Sequence, residues 1–292
     1  RQIIKNKKSC NFVRYLLIME SLSPLQLDVE EIVKNKAPKY ASKIPGFAFR
    51  YLERVICQEG LNELLRENHG KEGVEFATAV LSDLNVSIKV IGEENIPDEG
   101  RFTFASNHPL GGLDGMGLIS WFGKKYEGKI KFMVNDLLMN VKPLAPVFLP
   151  INKHGGQAKG STEIINKAYE SDDQILVFPA GLVSRRQGKD IRDLEWKKAF
   201  ITKTVQFRRD IIPLYFDGLN SGRFYKFAQI RKRLGLKFNI EMIYLPSEMF
   251  KSRNKTFRVY VGKPIPWQSL DKSKTVAEWA EYIKDIVYHI KK

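Results

Sequence analysis

The chain is poor in the residues that build covalent or metal-bound frameworks. Its 292 residues include two cysteines, Cys10 and Cys57. They are too few and too far apart for a disulfide framework or a CxxC metal site, and they suit a reducing compartment. The histidines, His69, His108, His154 and His289, are too scattered for a zinc pair at helical spacing, so no metal is expected. Long uncharged runs are missing as well. The longest stretch without Asp, Glu, Lys or Arg is the twelve residues Phe102–Leu113, whereas a membrane-spanning helix takes about 20. Arg1–Ile18 lacks the apolar core and cleavage site of a signal peptide. It carries basic but no acidic residues and reads unlike the text that follows, which makes Met19 a candidate start. No G-x-S-x-G elbow occurs. Gly123–Ile130 has phosphate-loop spacing but ends in Ile130, where Mg²⁺ needs a hydroxyl, and is read as a surface turn.

Acidic residues are also in deficit, 33 Asp+Glu against 48 Lys+Arg, for a formal charge of +15. Such an excess suits nucleic acid, anionic lipid, or an acidic protein or phosphorylated cofactor; a solvated surface is the plain alternative. No nucleic-acid module is recognisable and the basic residues follow no groove-reading pattern, which sets nucleic acid aside. At 43% hydrophobic and 28% charged, the chain is neither disordered nor fibrous.

The periodicity divides the chain in three. Residues 1–85 form a helical region: Asp28 caps Val29–Lys36, Pro45 introduces one helix over Phe47–Glu67, and Gly73–Leu84 continues helically. Residues 86–265 alternate strand and helix, which predicts an α/β domain. Its strands are expected near Val86–Ile91, Arg101–Ser106, Lys129–Val134, Val147–Ile151, Gln174–Phe178, Ile211–Phe216, Phe238–Tyr244 and Thr256–Val261. Helices are expected at Asp114–Phe122, Gly160–Tyr169 and Glu195–Phe207. Residues 266–292 end in an amphipathic helix packed on that domain, opened by a Thr275/Glu278 capping box. Arg223–Leu236 mixes aromatic and basic residues and reads either as a membrane-surface contact or as core packing with a basic exposed face.

The informative stretch is Phe104–Gly115. It places His108 just past a buried strand, then Gly111 and Gly112, then Asp114 at a helix start. On a continuous helix, residues six apart sit about 240° around the axis and do not meet. A turn at the glycine pair folds them together, since glycine tolerates positive φ. Asp114 can then accept from one ring nitrogen of His108, leaving the other to take a proton from a hydroxyl. The alternative is a capping Asp114 and an unrelated, exposed His108.

Asn107-His108 followed by Asp114 resembles the first signature of the glycerolipid acyltransferase superfamily of the lysophosphatidate type. Here five residues separate the pair where the family has four. Val147–Lys153 resembles the second block, Phe178–Arg186 the third and Ile211–Leu214 the fourth, in the family's order. The resemblance implies a mixed α/β sheet flanked by helices. It also implies O-acyl transfer from acyl carrier protein or acyl-CoA, without a covalent acyl-enzyme, metal or other cofactor. His108 is the expected base and Asp114 its orienting partner. Asn107, Gly111, Gly112, Lys153, Gly181, Ser184, Arg185 and Arg186 are the expected substrate-binding residues. Ala180 and Val183 replace a usual glutamate and arginine, and Lys153 an arginine, which loses bidentate phosphate recognition. The acceptor is therefore expected to be a lysophospholipid or a hydroxylated aminolipid. The expected setting is lipid metabolism, on the cytoplasmic inner face of the cell membrane, with its anionic surface as partner. A non-catalytic lipid or acyl-carrier binding protein on the same scaffold is the rival. The other basic residues of the second half, Arg208 and Arg209 among them, are read mainly as solvated faces.

Overall fold

Asp28 opens the first helix as its side chain predicts: Oδ1 accepts from the Glu31 amide at 2.9 Å. In the computed structural model, which describes residues 27–36, 44–135, 141–151, 158–235 and 239–291, helix α1 (Val29–Lys36) is followed by α2 (Gly46–Val55), α3 (Gln58–Glu67) and α4 (Gly73–Asp83). The single helix expected over Phe47–Glu67 is two. Cys57 breaks it with φ +54°. Phe49, Leu52 and Ile56 pack with Leu27, Val29, Ile32 and Val33 in a local cluster, whereas Leu64 belongs to the main core. The break lets α3 reach both cores, Leu61 packing on the local cluster and Leu64 on the main one. Buried Asn62 ties α3 to the start of α1, accepting from Leu27 N at 2.6 Å and donating to Leu27 O at 2.9 Å.

The remaining elements run β1 (Ser87–Ile91), β2 (Phe102–Ser106), α5 (Leu113–Lys125), β3 (Ile130–Asn135), β4 (Phe148–Ile151), α6 (Ala158–Glu170) and β5 (Gln174–Val177). Then come β6 (Arg185–Gln187), β7 (Asp190–Arg192), α7 (Ala199–Gln206), β8 (Asp210–Asp217), α8 (Gly222–Arg233), α9 (Leu245–Phe250), β9 (Thr256–Val261) and α10 (Val276–His289). Seven strands form one mixed sheet in the order β1-β9-β8-β2-β5-β3-β4, while β6 and β7 form a separate hairpin. Neighbours are parallel except β8 and β9. Strand alternation divides the core. Phe104, Phe132, Leu176 and Ile212 face α4 and α5 with Phe76, Leu118 and Phe122. Ala105, Ile175, Val177 and Ile211 face α6, α7 and α10 with Tyr169, Phe200, Ile201, Trp279, Ile283 and Val287. Both sides of β2 are therefore covered, which explains its unbroken burial. The α10 capping box forms in both directions.

Three expectations are corrected. Glu195–Lys198 is not helical, so α7 begins at Ala199. Ile240–Tyr244 is a 3₁₀ turn rather than a strand, because its second residue, Glu241, is drawn inward to meet arginines (Phe238 lies outside the described residues). Arg209 is not solvated: its fully buried guanidinium donates to the carbonyls of Ala168, Tyr169, Ser171 and Asp173, capping the end of α6. Burial pulls its pKa down to about 10. Since β2, β5 and β8 are parallel neighbours, their C-terminal loops emerge at one edge of the sheet, where α/β folds place ligands.

Candidate active site

At the end of β2 the chain is clamped before it turns. The buried Asn107 side chain donates to Phe216 O at 3.0 Å and accepts from Phe216 N at 2.6 Å, fixing the strand end to β8. His108 follows, and the chain reverses through Gly111, whose φ is +96°. Gly112 keeps φ at −110°, so only the first glycine needs the left-handed region. A side chain at Gly111 would strike Leu245.

The reversal brings His108 and Asp114 together, with Nδ1 and Oδ2 at 2.9 Å. Asp114 Oδ2 also accepts from Leu110 N at 2.8 Å and Gly111 N at 3.3 Å, and Oδ1 from Gly115 N at 2.9 Å. Four donors thus hold one buried carboxylate in place. Asp114 is the second residue of α5, whose N-cap is Gly112; it satisfies a first-turn amide and also pairs with His108, so His108 is neither unrelated to it nor fully exposed. The imidazole is 12% exposed, and it stacks on Phe178 with ring centroids 3.9 Å apart. Nε2 has no hydrogen-bond partner among the described residues.

The backbone of His108 is held as firmly as its ring. Its amide donates to Asp193 Oδ1 at 3.2 Å, and its carbonyl accepts from Ser184 N at 2.7 Å and Ser184 Oγ at 3.2 Å. Asp193 accepts further from Ser184 Oγ at 2.6 Å and Trp196 Nε1 at 2.9 Å, and its amide donates to Tyr288 Oη at 2.7 Å. Burial pushes the Asp193 carboxyl above the usual carboxylate range, against the donors from Ser184 and Trp196. Pro109 O accepts from Asn220 Nδ2 at 3.1 Å.

Several expected binding residues therefore have structural work. Asn107 and Ser184 are buried and position the His108 backbone instead of facing a ligand. Arg185 is buried too: its guanidinium reaches Glu241 Oε1 at 2.8 Å and Val183 O at 2.6 Å, and lies over the Phe224 ring. Burial lowers its pKa, and Glu241 works against that shift. Glu241 also pairs with Arg231 at 2.8 Å. Arg186 on β6, Gly181 and Gly112 are exposed. Gly181 closes a turn on Phe178 O with φ +63°, a backbone need independent of any substrate. Lys153 lies outside the described residues. Asp193, Asn220 and Glu241 are additions to the expected site, as is Phe178, which the sequence places only at a strand end and in the third block. Nothing in the run Arg192-Asp193-Leu194 marks that aspartate as buried; Phe178 was findable as the first residue after a buried strand. No cluster of three His, Cys, Asp or Glu fit for a metal occurs among the described residues.

The sequence pattern of a family described as acyltransferase matches residues 31–292. A protein of Bacteroides thetaiotaomicron named lyso-glycine lipid O-acyltransferase is 53% identical over 264 residues, spanning 90% of this chain and 97% of its own length. A protein of the same name from Phocaeicola vulgatus is 49% identical over 264 residues, 90% and 95% of the two chains. Among solved structures, the 1-acyl-sn-glycerophosphate acyltransferase of Thermotoga maritima superposes with a TM-score of 0.45 at 15% identity, over 84% of this chain and 93% of its own.

Proposed function

The chain belongs to the acyltransferase family, and we propose that it moves a fatty acyl group from a thioester of acyl carrier protein or CoA to the hydroxyl of a lyso-aminolipid. The observation that carries the chemistry is the His108–Asp114 pair with Nε2 left open. Asp114 accepts the Nδ1 proton and so presents the Nε2 lone pair outward. Nε2 takes the proton of the acceptor hydroxyl as its oxygen attacks the thioester carbonyl. The tetrahedral intermediate collapses, the C–S bond breaks, and the sulfur leaves as thiol with the proton held by His108. Ester and thiol are the products, and the imidazole is restored. Phe178 keeps the ring plane fixed through the cycle.

Two features support the aminolipid over the phosphorylated acceptor. The relatives share the name lyso-glycine lipid O-acyltransferase. Arg185, the buried arginine of the third block, already faces Glu241 and has little left for a phosphate. No helix among the described residues is long and apolar enough to cross a membrane. The proposed setting is the membrane surface at its inner face, where the basic side chains of the chain would meet anionic lipid.

The test is acyl transfer by the purified chain from each thioester to a lyso-glycine lipid and to lysophosphatidate, with the ester identified by mass spectrometry. His108→Ala should lower turnover by roughly a hundred- to ten-thousandfold with folding intact. Asp114→Asn should cost less than loss of the imidazole, yet remain severe. Full turnover by a folded His108→Ala protein would refute the base assignment.

A further inference from the structure

Two helices far apart in sequence both touch Tyr244 beside the site and expose the same combination of side chains. On α2, Phe47 and Tyr51 are 68% and 53% exposed, one turn apart, and Arg50 and Arg54 share their exposed face. On α8, Ile230 and Leu234 are 42% and 68% exposed, with Arg223, Lys226 and Arg233 on the same arc. The opposite arc of α8, Phe224, Tyr225 and Ala228, is buried against the body of the protein. The outward apolar residues are therefore not needed to hold the helix. Helix α8 contains no acidic residue, and the lone acid of α2, Glu53, is half-buried.

Tyr244 joins the two helices. Its hydroxyl lies 2.8 Å from that of Tyr51, and its ring is 5.2 Å from that of Phe227 on α8. The next residue, Leu245, sits over Gly111, in the turn that presents His108. The shared face thus borders the turn where the acceptor hydroxyl must arrive.

We propose that the exposed faces of α2 and α8 are one docking surface for an anionic lipid bilayer. This rests on the lipid acceptor proposed above and names the face that meets it. Aromatic and aliphatic tips enter the headgroup region of a bilayer, while arginine and lysine remain at its charged surface. Cations near an anionic membrane each strengthen binding roughly fivefold. An acidic carrier protein would match the cations, but Phe47, Ile230 and Leu234, standing outward among them, match a bilayer interface.

Co-sedimentation of the full chain with vesicles tests this, comparing phosphatidylglycerol mixed into phosphatidylcholine with phosphatidylcholine alone. Wild type should bind the mixed vesicles and not the neutral ones. Arg223→Gln, Lys226→Gln and Arg233→Gln together should weaken that binding roughly a hundredfold. Phe47→Ser, Ile230→Ser and Leu234→Ser together should weaken it by roughly tenfold or more. Both variants should keep the wild-type melting temperature and turnover of a detergent-dispersed short-chain lysolipid. Wild-type vesicle affinity in both variants would overturn the proposal. So would loss of acyl carrier protein binding with vesicle binding unchanged. If wild type fails to turn over the dispersed lysolipid, the acyl-transfer reading falls, and the vesicle comparison still decides the surface.

Discussion

Asp193 bonds the His108 backbone rather than its ring, and it is the residue on which the loop behind the ring converges. One carboxylate oxygen accepts from His108 N and Ser184 Oγ, the other from Trp196 Nε1. Asparagine at this position keeps only one acceptor, so its amide group must face another donor. Asp193→Asn should therefore lower stability by about 1–3 kcal/mol, the cost of a buried unpaired polar group. It should also lower kcat roughly ten- to hundredfold with KM little changed, since the base would be displaced while the acceptor still binds. Trp196→Phe removes the opposing N–H. If the double variant does not recover part of the kcat lost in Asp193→Asn, the positioning role is wrong. The pairing of His108 with Asp114 was legible because a strand end, a histidine, a glycine and an acid stand within nine residues. The roles of Ser184 and Arg185 were not. Polarity within a motif does not reveal whether the loop turns the side chain inward, and Glu241, the partner that claims Arg185, is 56 residues away.

Elements were legible where their own pattern determines them and misread where partners outside the element do. The α10 capping box is local, and it forms as written. Glu195–Lys198 has a helical pattern, but Trp196 N is bound by Glu281 at 3.1 Å and Lys197 N by Pro179 O at 2.9 Å, so the helix starts later. Helix α5 supplies a test of packing at this scale. At Gly123 it approaches α4 so closely that a side chain there would overlap the methyl groups of Val74. Valine is stiff at χ1 and cannot swing away. Gly123→Ala ought to gain up to about 1 kcal/mol in helix propensity, yet overlap costing about 1–3 kcal/mol should outweigh it. Denaturation midpoints of Gly123→Ala, Val74→Ala and the double variant measure the coupling. A double variant no more stable than Gly123→Ala would show that the close approach is not the cause.

At the scale of the whole molecule, the seven strands of the main sheet were readable, but the β6–β7 hairpin and the order of strands were not. No local feature says that β9 lies between β8 and β1, antiparallel to the first and parallel to the second, or that α10 reaches back through Tyr288 to Asp193 behind the His108 loop. The charge of +15 is a property of the same scale, and its distribution separates two effects of salt. Arg185 and Arg209 are spent inside the fold; Arg50, Arg54, Arg223, Lys226 and Arg233 are exposed among the described residues, and the field of such cations, screened over about 10 Å at 0.1 M salt, can draw an anionic donor inward. Both proposed donors, acyl carrier protein and CoA, are anionic. The His108–Asp114 contact, at 2.9 Å and shielded from water, lies within that screening length. With the acceptor dispersed in detergent, no bilayer contributes. Raising ionic strength from low to about 0.5 M should then lower kcat/KM for the donor severalfold, as long-range steering is lost. The value of kcat at saturating donor should stay level, because salt does not reach the pair proposed to move the proton. A parallel fall in kcat would mean that the catalytic pair is open to solvent ions. A flat kcat/KM would mean that the surface excess plays no part in donor capture and is left to the bilayer alone.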